Sequence, residues 1–379
     1  MTRRIGAGSG ERLRFTFDGR PYEGHEGDTL AAALLANGVR RVGTSVTLGR
    51  PRGIFGAWTE EPNAVVQIEH PFPEPMVQAT TVPLYDGLAA TSLTGRGRLA
   101  GAPDPARYDT VHAHCDILVV GAGPAGLTAA RAAAGTGARV ILADDRPTPG
   151  GTLPDTDDQV EGRPGAAWAL DVAATLATLP DVRVLSRTTV LGYYDHNYLV
   201  AVERRGEHAV TRERVWRIRA RHVILATGAC ERPLAFAAND TPGVMLLSAA
   251  RAYVNRYKVL PGHRAVIFTT TPAPEATLND LATAGIEIAD VITPAPPPDN
   301  RRPHLRRDPP GRRSRPPRAG SRPPADLRRL DPHHPPVQPS RRPSPLRRIP
   351  HSLHPHPHRT PSDSDRLRPR PPHPERLPL

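Results

Sequence analysis

The chain has 379 residues and a formal net charge of +12 at pH 7. This charge is unevenly placed, because residues 293–379 hold 26 of the 46 prolines and 20 arginines and carry +13, which leaves −1 for residues 1–292. Nucleic-acid binding needs a basic patch on a folded surface, and a nearly neutral body gives no indication of one. We therefore expect no nucleic-acid partner.

Cysteine content and hydropathy restrict the compartment. Two cysteines among 379 residues exclude a disulfide framework and favour a reducing environment. The chain begins without the apolar core of a signal peptide, and it has no run of ~18 apolar residues that could cross a bilayer. We expect a cytoplasmic protein that does not associate with a membrane.

The amino-terminal part shows the pattern of a small β-rich domain. Residues 13–17 alternate apolar and other side chains at the strand period, and Asp18-Gly19 is a hairpin turn. Asp28-Thr29 then precedes the apolar run of residues 30–36, which is typical of a short helix that starts at an N-cap. This order predicts a β-grasp domain, to which we assign residues 1–105.

A polar, proline-containing linker over residues 101–110 is expected to follow. Beyond it, short apolar strands alternate with helical stretches, the pattern of a doubly wound α/β sheet. We assign residues 106–292 to an incomplete FAD/NAD(P)-binding Rossmann-type domain. A second dinucleotide fold would begin at Arg264, but its loop, residues 269–274, lacks the glycines that a phosphate requires, so we predict no nucleotide there.

A glycine-rich turn gives the clearest functional signal. Residues 116–120 (DILVV) suit a buried strand, and Gly121, Gly123 and Gly126 follow at the start of a predicted helix. In a dinucleotide-binding fold the first glycine permits the tight turn, the second lets the backbone approach a pyrophosphate, and the third lets helix and strand pack closely. The pyrophosphate lies at the helix N-terminus, where amide donors lack partners.

An acidic residue completes this fingerprint. Residues 139–143 form the second predicted strand, and Asp144 ends it, 18 residues after Gly126. A carboxylate there accepts hydrogen bonds from ribose hydroxyls and repels a 2′-phosphate. The site therefore favours NAD or FAD over NADP, and the fingerprint alone does not distinguish the first two.

Two further glycine-containing segments are candidates for the same site. In flavoproteins with two dinucleotide folds, a glycine pair after the second strand lies against the diphosphate, and an "ATG" corner closes over the first nucleotide; here an ordinary turn is the alternative for each. The corner follows residues 222–226, which we predict to be a buried strand. The complete predicted set is Gly121, Gly123, Pro124, Ala125, Gly126, Asp144, Gly150, Gly151, Thr227 and Gly228.

The sequence indicates no catalytic or metal-binding cluster. His112, His114 and Cys115 are too few ligands without a distant partner, and Cys230 has no neighbouring base or second thiol to activate it. We predict no metal ligand and no acid, base or nucleophile for oxidation of a C–N bond.

Four stretches resemble a known family. GDTLAAALLANGV, RPRGIFGAWTEEPNAVVQI, ERPLAFAANDTPGV and SAARAYVNRYKVLPG are similar to the alpha subunit of heterotetrameric sarcosine oxidase, which opens with a ferredoxin-like domain. Relatives that carry an iron–sulfur cluster have cysteines spaced C-x4-C-x2-C after the GIF turn. Those places fall on Gly56, Glu61 and Ala64 here, and a cluster needs thiolate ligands. We therefore expect no iron–sulfur cluster.

The resemblance implies an oxidoreductase subunit that takes part in the oxidative demethylation of sarcosine to glycine. It implies NAD held by this chain, with FAD possible at the same site, and a flavin mononucleotide at the interface with a beta subunit. Beta, gamma and delta subunits are the implied partners. Two alternatives stay open: an alpha-type subunit of another amine or amino-acid dehydrogenase (opine, proline or glycine oxidising), and a truncated product without function.

Residues 293–379 differ from the rest of the chain. Their arginine, proline, histidine and serine, without aromatic residues, are expected to form a disordered tail. The body has one lysine and abundant Ala, Gly, Arg and Pro, typical of a GC-rich gene. We hypothesise that the tail is out-of-frame translation; an arginine-rich arm for RNA or acidic surfaces is the alternative.

Overall fold

The computed structural model describes residues 3–6, 10–206, 209–270 and 274–293. All of them fall within one compact unit. The predictions made for the tail lie outside the described residues, apart from Thr293. Within the described ranges no helix has the length and apolarity needed to cross a membrane.

The amino-terminal part folds as a mixed sheet with one short helix against it, as the sequence predicts. Asp18 and Gly19, at φ 49° and 72°, form the tight turn between the first two strands. The elements are β1 (Arg12–Phe17), β2 (Arg20–His25), α1 (Leu30–Ala36), β3 (Gly43–Thr44), β4 (Pro51–Arg52), β5 (Val65–His70), β6 (Glu74–Gln78) and β7 (Leu88–Thr94).

The helix α1 is the centre of this part. The Thr29 side chain accepts a hydrogen bond from the amide of Ala32 at 3.2 Å, and the helix covers the predicted residues 30–36, with Asn37 as its C-cap. All seven of its residues are buried, so its face toward the sheet and its opposite face are both covered. In the described part, β1 pairs antiparallel with β2 and parallel with β7, and β7 also pairs with β3 and β5.

The second part is a six-stranded sheet, counted over the described residues, in the order β12-β9-β8-β15-β14-β13. Its first four strands are parallel, and α2 and α3 connect them in the manner of a doubly wound fold. The elements are β8 (Arg107–Val120), α2 (Pro124–Ala134), β9 (Val140–Ala143), β10 (Gln159–Val160), β11 (Arg163–Pro164), α3 (Gly165–Ala177), β12 (Val182–Leu185), β13 (Thr188–Tyr194), β14 (Tyr198–Arg204) and β15 (Thr211–Leu225).

The predicted linker is shorter than expected. Its last residues belong to β8, which begins at Arg107 and pairs along its whole length with β15. Asp109 on β8 accepts two hydrogen bonds from the guanidinium of Arg214 on β15, both at 2.7 Å. Asp109, one of the polar residues that suggested a linker, is therefore a strand residue whose charge is paired across the sheet.

The strand predicted over residues 222–226 exists, as the last part of β15, but the prediction that it is buried was wrong. Leu225 is 61% exposed and Ile224 is 37% exposed. The physical reason is its pairing. In the described part, β14 pairs with β15 only up to Arg219, so the end of β15 has a strand neighbour on the β8 side alone.

The last described segment returns to the amino-terminal part. Tyr253, which is fully buried, donates a hydrogen bond from its hydroxyl to the carbonyl of Gly56 at 2.9 Å. Packing thus crosses the boundary proposed at residue 105, because this segment completes the core beneath α1. The remaining elements are α4 (Leu247–Asn255), β16 (Arg264–Phe268), α5 (Glu275–Thr283) and β17 (Glu287–Ile292), with β16 and β17 parallel.

Candidate dinucleotide site

The glycine turn joins β8 to α2 at the point where three strands end. Gly121 has φ 101°, and a Cβ there would lie 2.4 Å from the carbonyl oxygen of Ala226. A Cβ at Gly126 would lie 1.8 Å from the carbonyl oxygen of Gly121. Only glycine allows this approach of helix to strand, so both positions have the steric requirement that the fingerprint predicts.

The first turn of α2 is open to a ligand. Gly123 is the N-cap residue, and it has no side chain to satisfy the first helical amides. Pro124 and Ala125 at the start of the helix are exposed. A helix N-terminus with free amide donors and a positive dipole end attracts an anion such as a pyrophosphate.

The glycine pair lies directly opposite this turn. The amide of Gly150 donates to the carbonyl of Ala122 at 2.8 Å. A Cβ at Gly151 would lie 3.0 Å from the Cα of Gly123, which shows how closely the two backbones approach. The geometry favours a segment that lies against the diphosphate-binding turn, and it disfavours the alternative of an ordinary turn.

Asp144 lies at the end of β9, beside the same turn. Its carboxylate accepts hydrogen bonds from the backbone amides of Ala122 and Arg146. Burial raises the pKa of Asp144 above its ordinary value, and these two amide hydrogen bonds oppose that shift. The side chain is therefore fixed next to the glycine turn, with lone pairs left for hydroxyl donors.

Thr227 and Gly228 follow the end of β15. The amide of Ala226, just before them, donates to the carbonyl of Val120 at 2.8 Å, which places the corner beside the glycine turn. Gly228 has φ 70°, and both corner residues are exposed.

One cavity of about 700 Å³ brings most of the predicted residues together. Gly126 and Gly150 do not line it, since they serve the packing behind it. Sequence reasoning missed the loop of residues 57–60 from the amino-terminal part, and also missed Arg146 and Arg256. The predicted residues that line the cavity are Gly121, Gly123, Pro124, Ala125, Asp144, Gly151, Thr227 and Gly228.

Two arginines line the cavity beside the glycine pair. The guanidinium groups of Arg146 and Arg256 each donate to the carbonyl of Gly151 at 2.9 Å. Arg256 also pairs with Asp155 at 2.8 Å. The position of Arg146, two residues after Asp144, could have suggested it from the sequence. Nothing in the local sequence marks Arg256, which follows α4.

Comparison with known proteins agrees with this architecture. Residues 115–267 match the pyridine nucleotide-disulphide oxidoreductase family, and residues 10–95 match the 2Fe-2S iron-sulfur cluster binding domain. The chain is 50% identical over 292 residues to the sarcosine oxidase subunit alpha of Corynebacterium sp. (strain P-1) and 40% identical over 339 residues to that of Rhizobium meliloti (strain 1021). This chain is a homologue of sarcosine oxidase alpha subunits.

The matches cover 74% and 75% of this chain but 30% and 34% of the relatives, so the chain spans about a third of their length. A solved structure, L-proline dehydrogenase from P. horikoshii, superposes with a TM-score of 0.60 at 24% identity, over 77% of this chain and 56% of that one. These matches confirm the predicted fold class: a ferredoxin-like domain followed by an FAD/NAD-binding domain.

The expectation of no iron–sulfur cluster was wrong as a conclusion about the domain. Residues 10–95 match a domain described as binding a 2Fe-2S cluster. The three positions Gly56, Glu61 and Ala64 lie in one loop, whereas the match covers the whole amino-terminal sheet.

The loop where such a cluster is implied is organised by Glu61 in this chain. Its carboxylate is buried and accepts hydrogen bonds at 2.6 to 2.8 Å from four backbone amides, and burial raises its pKa. Residues 10–95 contain no cysteine, so this segment does not supply the thiolates that a cluster takes. The residues present in this segment do not fit the group. The four amide donors are those of Phe55, Gly56, Asn63 and Ala64.

Gly126→Ala tests the steric basis of the site. The added methyl group would collide with the carbonyl of Gly121, so we expect a loss of about 3 kcal/mol or more in the free energy of unfolding, with nucleotide affinity falling in parallel. Gly101→Ala is the control: no atom lies within 4 Å of its Cβ, so its unfolding free energy should change by less than ~0.5 kcal/mol. Equal stability of the two variants in urea would contradict the geometry.

Asp144 should give nucleotide binding a pH dependence. Ribose hydroxyls donate to the ionised carboxylate, so affinity is full above the pKa of Asp144 and falls as the pH drops through it. Because burial raises that pKa, the loss should begin above the ordinary titration range of Asp near ~3.9 and approach about tenfold per pH unit.

Calorimetric titrations with ADP-ribose across this range provide the measurement. Asp144→Asn should bind more weakly and without the pH-dependent loss. Asp171→Asn, an exposed change on α3, should keep the wild-type profile. A profile that is the same with and without the Asp144 carboxylate would show that this residue does not contact the ribose.

Proposed function

We propose that this chain is the dinucleotide-binding part of an oxidoreductase subunit that takes part in the oxidative demethylation of sarcosine to glycine. The observation that carries the proposal is the glycine turn between β8 and α2, which opens into a cavity that also holds Asp144. Identity of 40–50% to sarcosine oxidase alpha subunits supports the substrate. The cavity volume of about 700 Å³ is within the usual range for cofactor sites.

The predicted residues that line the cavity each have a binding task in this proposal. The turn from Gly121 to Gly126 and the first amides of α2 bind the pyrophosphate, and Gly151 faces it from the opposite side. Arg146 and Arg256 contribute positive charge beside the same loop. Asp144 accepts hydrogen bonds from the ribose hydroxyls. Thr227 and Gly228 close the wall next to the glycine turn.

We propose NAD as the ligand, with FAD as the second possibility at the same site. A bound dinucleotide supplies the hydride chemistry, and the protein supplies binding, orientation and electrostatics. The side chain of Asp144 would repel a 2′-phosphate, which argues against NADP. We assign no catalytic acid or base to this chain and propose that the amine is oxidised on another subunit.

The proposed partners are beta, gamma and delta subunits of a hetero-oligomer, and the proposed compartment is the cytoplasm. The support for partners is the description of the homologues as alpha subunits. We propose residues 1–105 as the amino-terminal domain and residues 106–292 as the FAD/NAD-binding domain.

Nucleotide identity and substrate can be tested separately. The purified protein is denatured, any released nucleotide is identified by chromatography, and the nucleotide-free protein is titrated with NAD, NADP and FAD. We expect NAD to bind and NADP to bind at least about tenfold more weakly, since a charge contact is worth ~1.5 kcal/mol or more. Failure of all three to bind would refute the nucleotide site and favour a product without function.

The substrate is tested with the complete hetero-oligomer, assembled by co-expression with the candidate partner subunits. Sarcosine should be oxidised faster than opines, proline or glycine. Preference for an opine or for proline would place the chain with another amine or amino-acid dehydrogenase.

A further inference from the structure

One wall of the cavity comes from the amino-terminal domain. Trp58, in the loop after β4, lines the cavity and is only 9% exposed. The backbone around it is fixed at three points: the carboxylate of Glu60 accepts from the amides of Ala57 and Trp58 at 2.7 and 3.0 Å, and the Thr80 hydroxyl donates to the Trp58 carbonyl at 2.6 Å. The backbone that carries the indole ring is therefore fixed within the amino-terminal domain.

This ring contacts the two residues that follow Asp144. The indole Nε1 donates to the carboxylate of Asp145 at 2.8 Å. The guanidinium carbon of Arg146 lies 5.5 Å from the ring centroid, within the range of a cation–π contact. One side chain of the amino-terminal domain thus fixes an anion and a cation at the ribose end of the site.

Arg146 is also held by the nucleotide-binding domain. It donates to the carbonyl of Gly151 at 2.9 Å, and a terminal nitrogen lies 3.9 Å from a carboxylate oxygen of Asp155. In dinucleotide folds, an arginine near the end of the second strand accommodates the 2′-phosphate of NADP. Arg146 has this position in the sequence, yet its donors are directed toward the glycine pair and its face is covered by the indole.

We propose that Trp58 is a positioning residue for nucleotide selection: it holds Arg146 against the glycine pair and so keeps the arginine from neutralising a 2′-phosphate. The inference rests on the proposed nucleotide site and adds the amino-terminal domain to its specificity. With Arg146 held, the charge nearest the ribose is the carboxylate of Asp144. Without the ring, the guanidinium gains the freedom to reach a phosphate on the 2′ position.

Binding of two probes tests this: ADP-ribose and 2′-phospho-ADP-ribose, which differ only in the phosphate. The quantity measured is the dissociation constant of 2′-phospho-ADP-ribose divided by that of ADP-ribose. A fault in folding weakens both probes and leaves the ratio unchanged, whereas release of Arg146 changes the ratio. Trp58→Leu keeps apolar volume but removes the π face, and it should lower the ratio by about tenfold in favour of the phosphorylated probe.

Three further variants identify the cause. Trp58→Phe keeps a ring beneath Arg146 and should restore the wild-type ratio, although it loses the hydrogen bond to Asp145. Adding Arg146→Met to Trp58→Leu should abolish the gain. Trp216→Leu is the matched control, because Trp216 is also buried, with Arg183 5.2 Å from its ring, and does not line the cavity. Its ratio should equal that of the wild type.

The inference is overturned if Trp58→Leu leaves the ratio unchanged, if Trp58→Phe changes it as much as leucine does, or if the gain persists without Arg146. In each of those cases the wild type binds ADP-ribose, so the proposed nucleotide site survives. If the wild type binds neither probe, the proposed function itself fails, and this inference fails with it.

Discussion

The approach of α2 to the end of β8 is the constraint on which the site depends. The contact between Gly126 and the carbonyl of Gly121 has no room for a Cβ, and it fixes where the helix begins. The free amides of the first helical turn consequently lie among the ends of three parallel strands. Asp144 reaches the same place because its strand pairs with β8 in register, and its carboxylate hydrogen bonds to the turn itself. A cavity lined by both the helix N-terminus and a carboxylate follows from this arrangement.

The amino-terminal domain is part of this site rather than a neighbour of it. Ala249 and Tyr253 of α4 belong to the core that contains α1, and the same helix leads into Arg256 at the cavity. Glu61 holds the intervening loop by accepting four backbone hydrogen bonds, and that loop presents Trp58 to the ribose end. The two domains are therefore in direct contact at the cavity.

Sequence predicts the local features of this protein well because each has a local cause. The hairpin at Asp18, the N-cap at Thr29 and the glycine fingerprint are all short-range patterns, and the structure has each of them. Pairing between distant segments was not predictable. Polar residues at the start of β8 suggested a linker because their partners lie about a hundred residues later, and the apolar end of β15 suggested burial although one side of it lacks a strand neighbour in the described part. Trp58 and Arg256 join the site through tertiary packing, which no local motif encodes.

The central claim is that the glycine turn and Asp144 together bind the adenosine diphosphate portion of a dinucleotide. A crystal structure of the protein soaked with ADP-ribose tests it most directly. The account predicts electron density for the pyrophosphate against the turn at Gly123 and for the ribose against the carboxylate of Asp144. Density at another place on the molecule, or an empty turn in a crystal whose protein binds the ligand in solution, would contradict it.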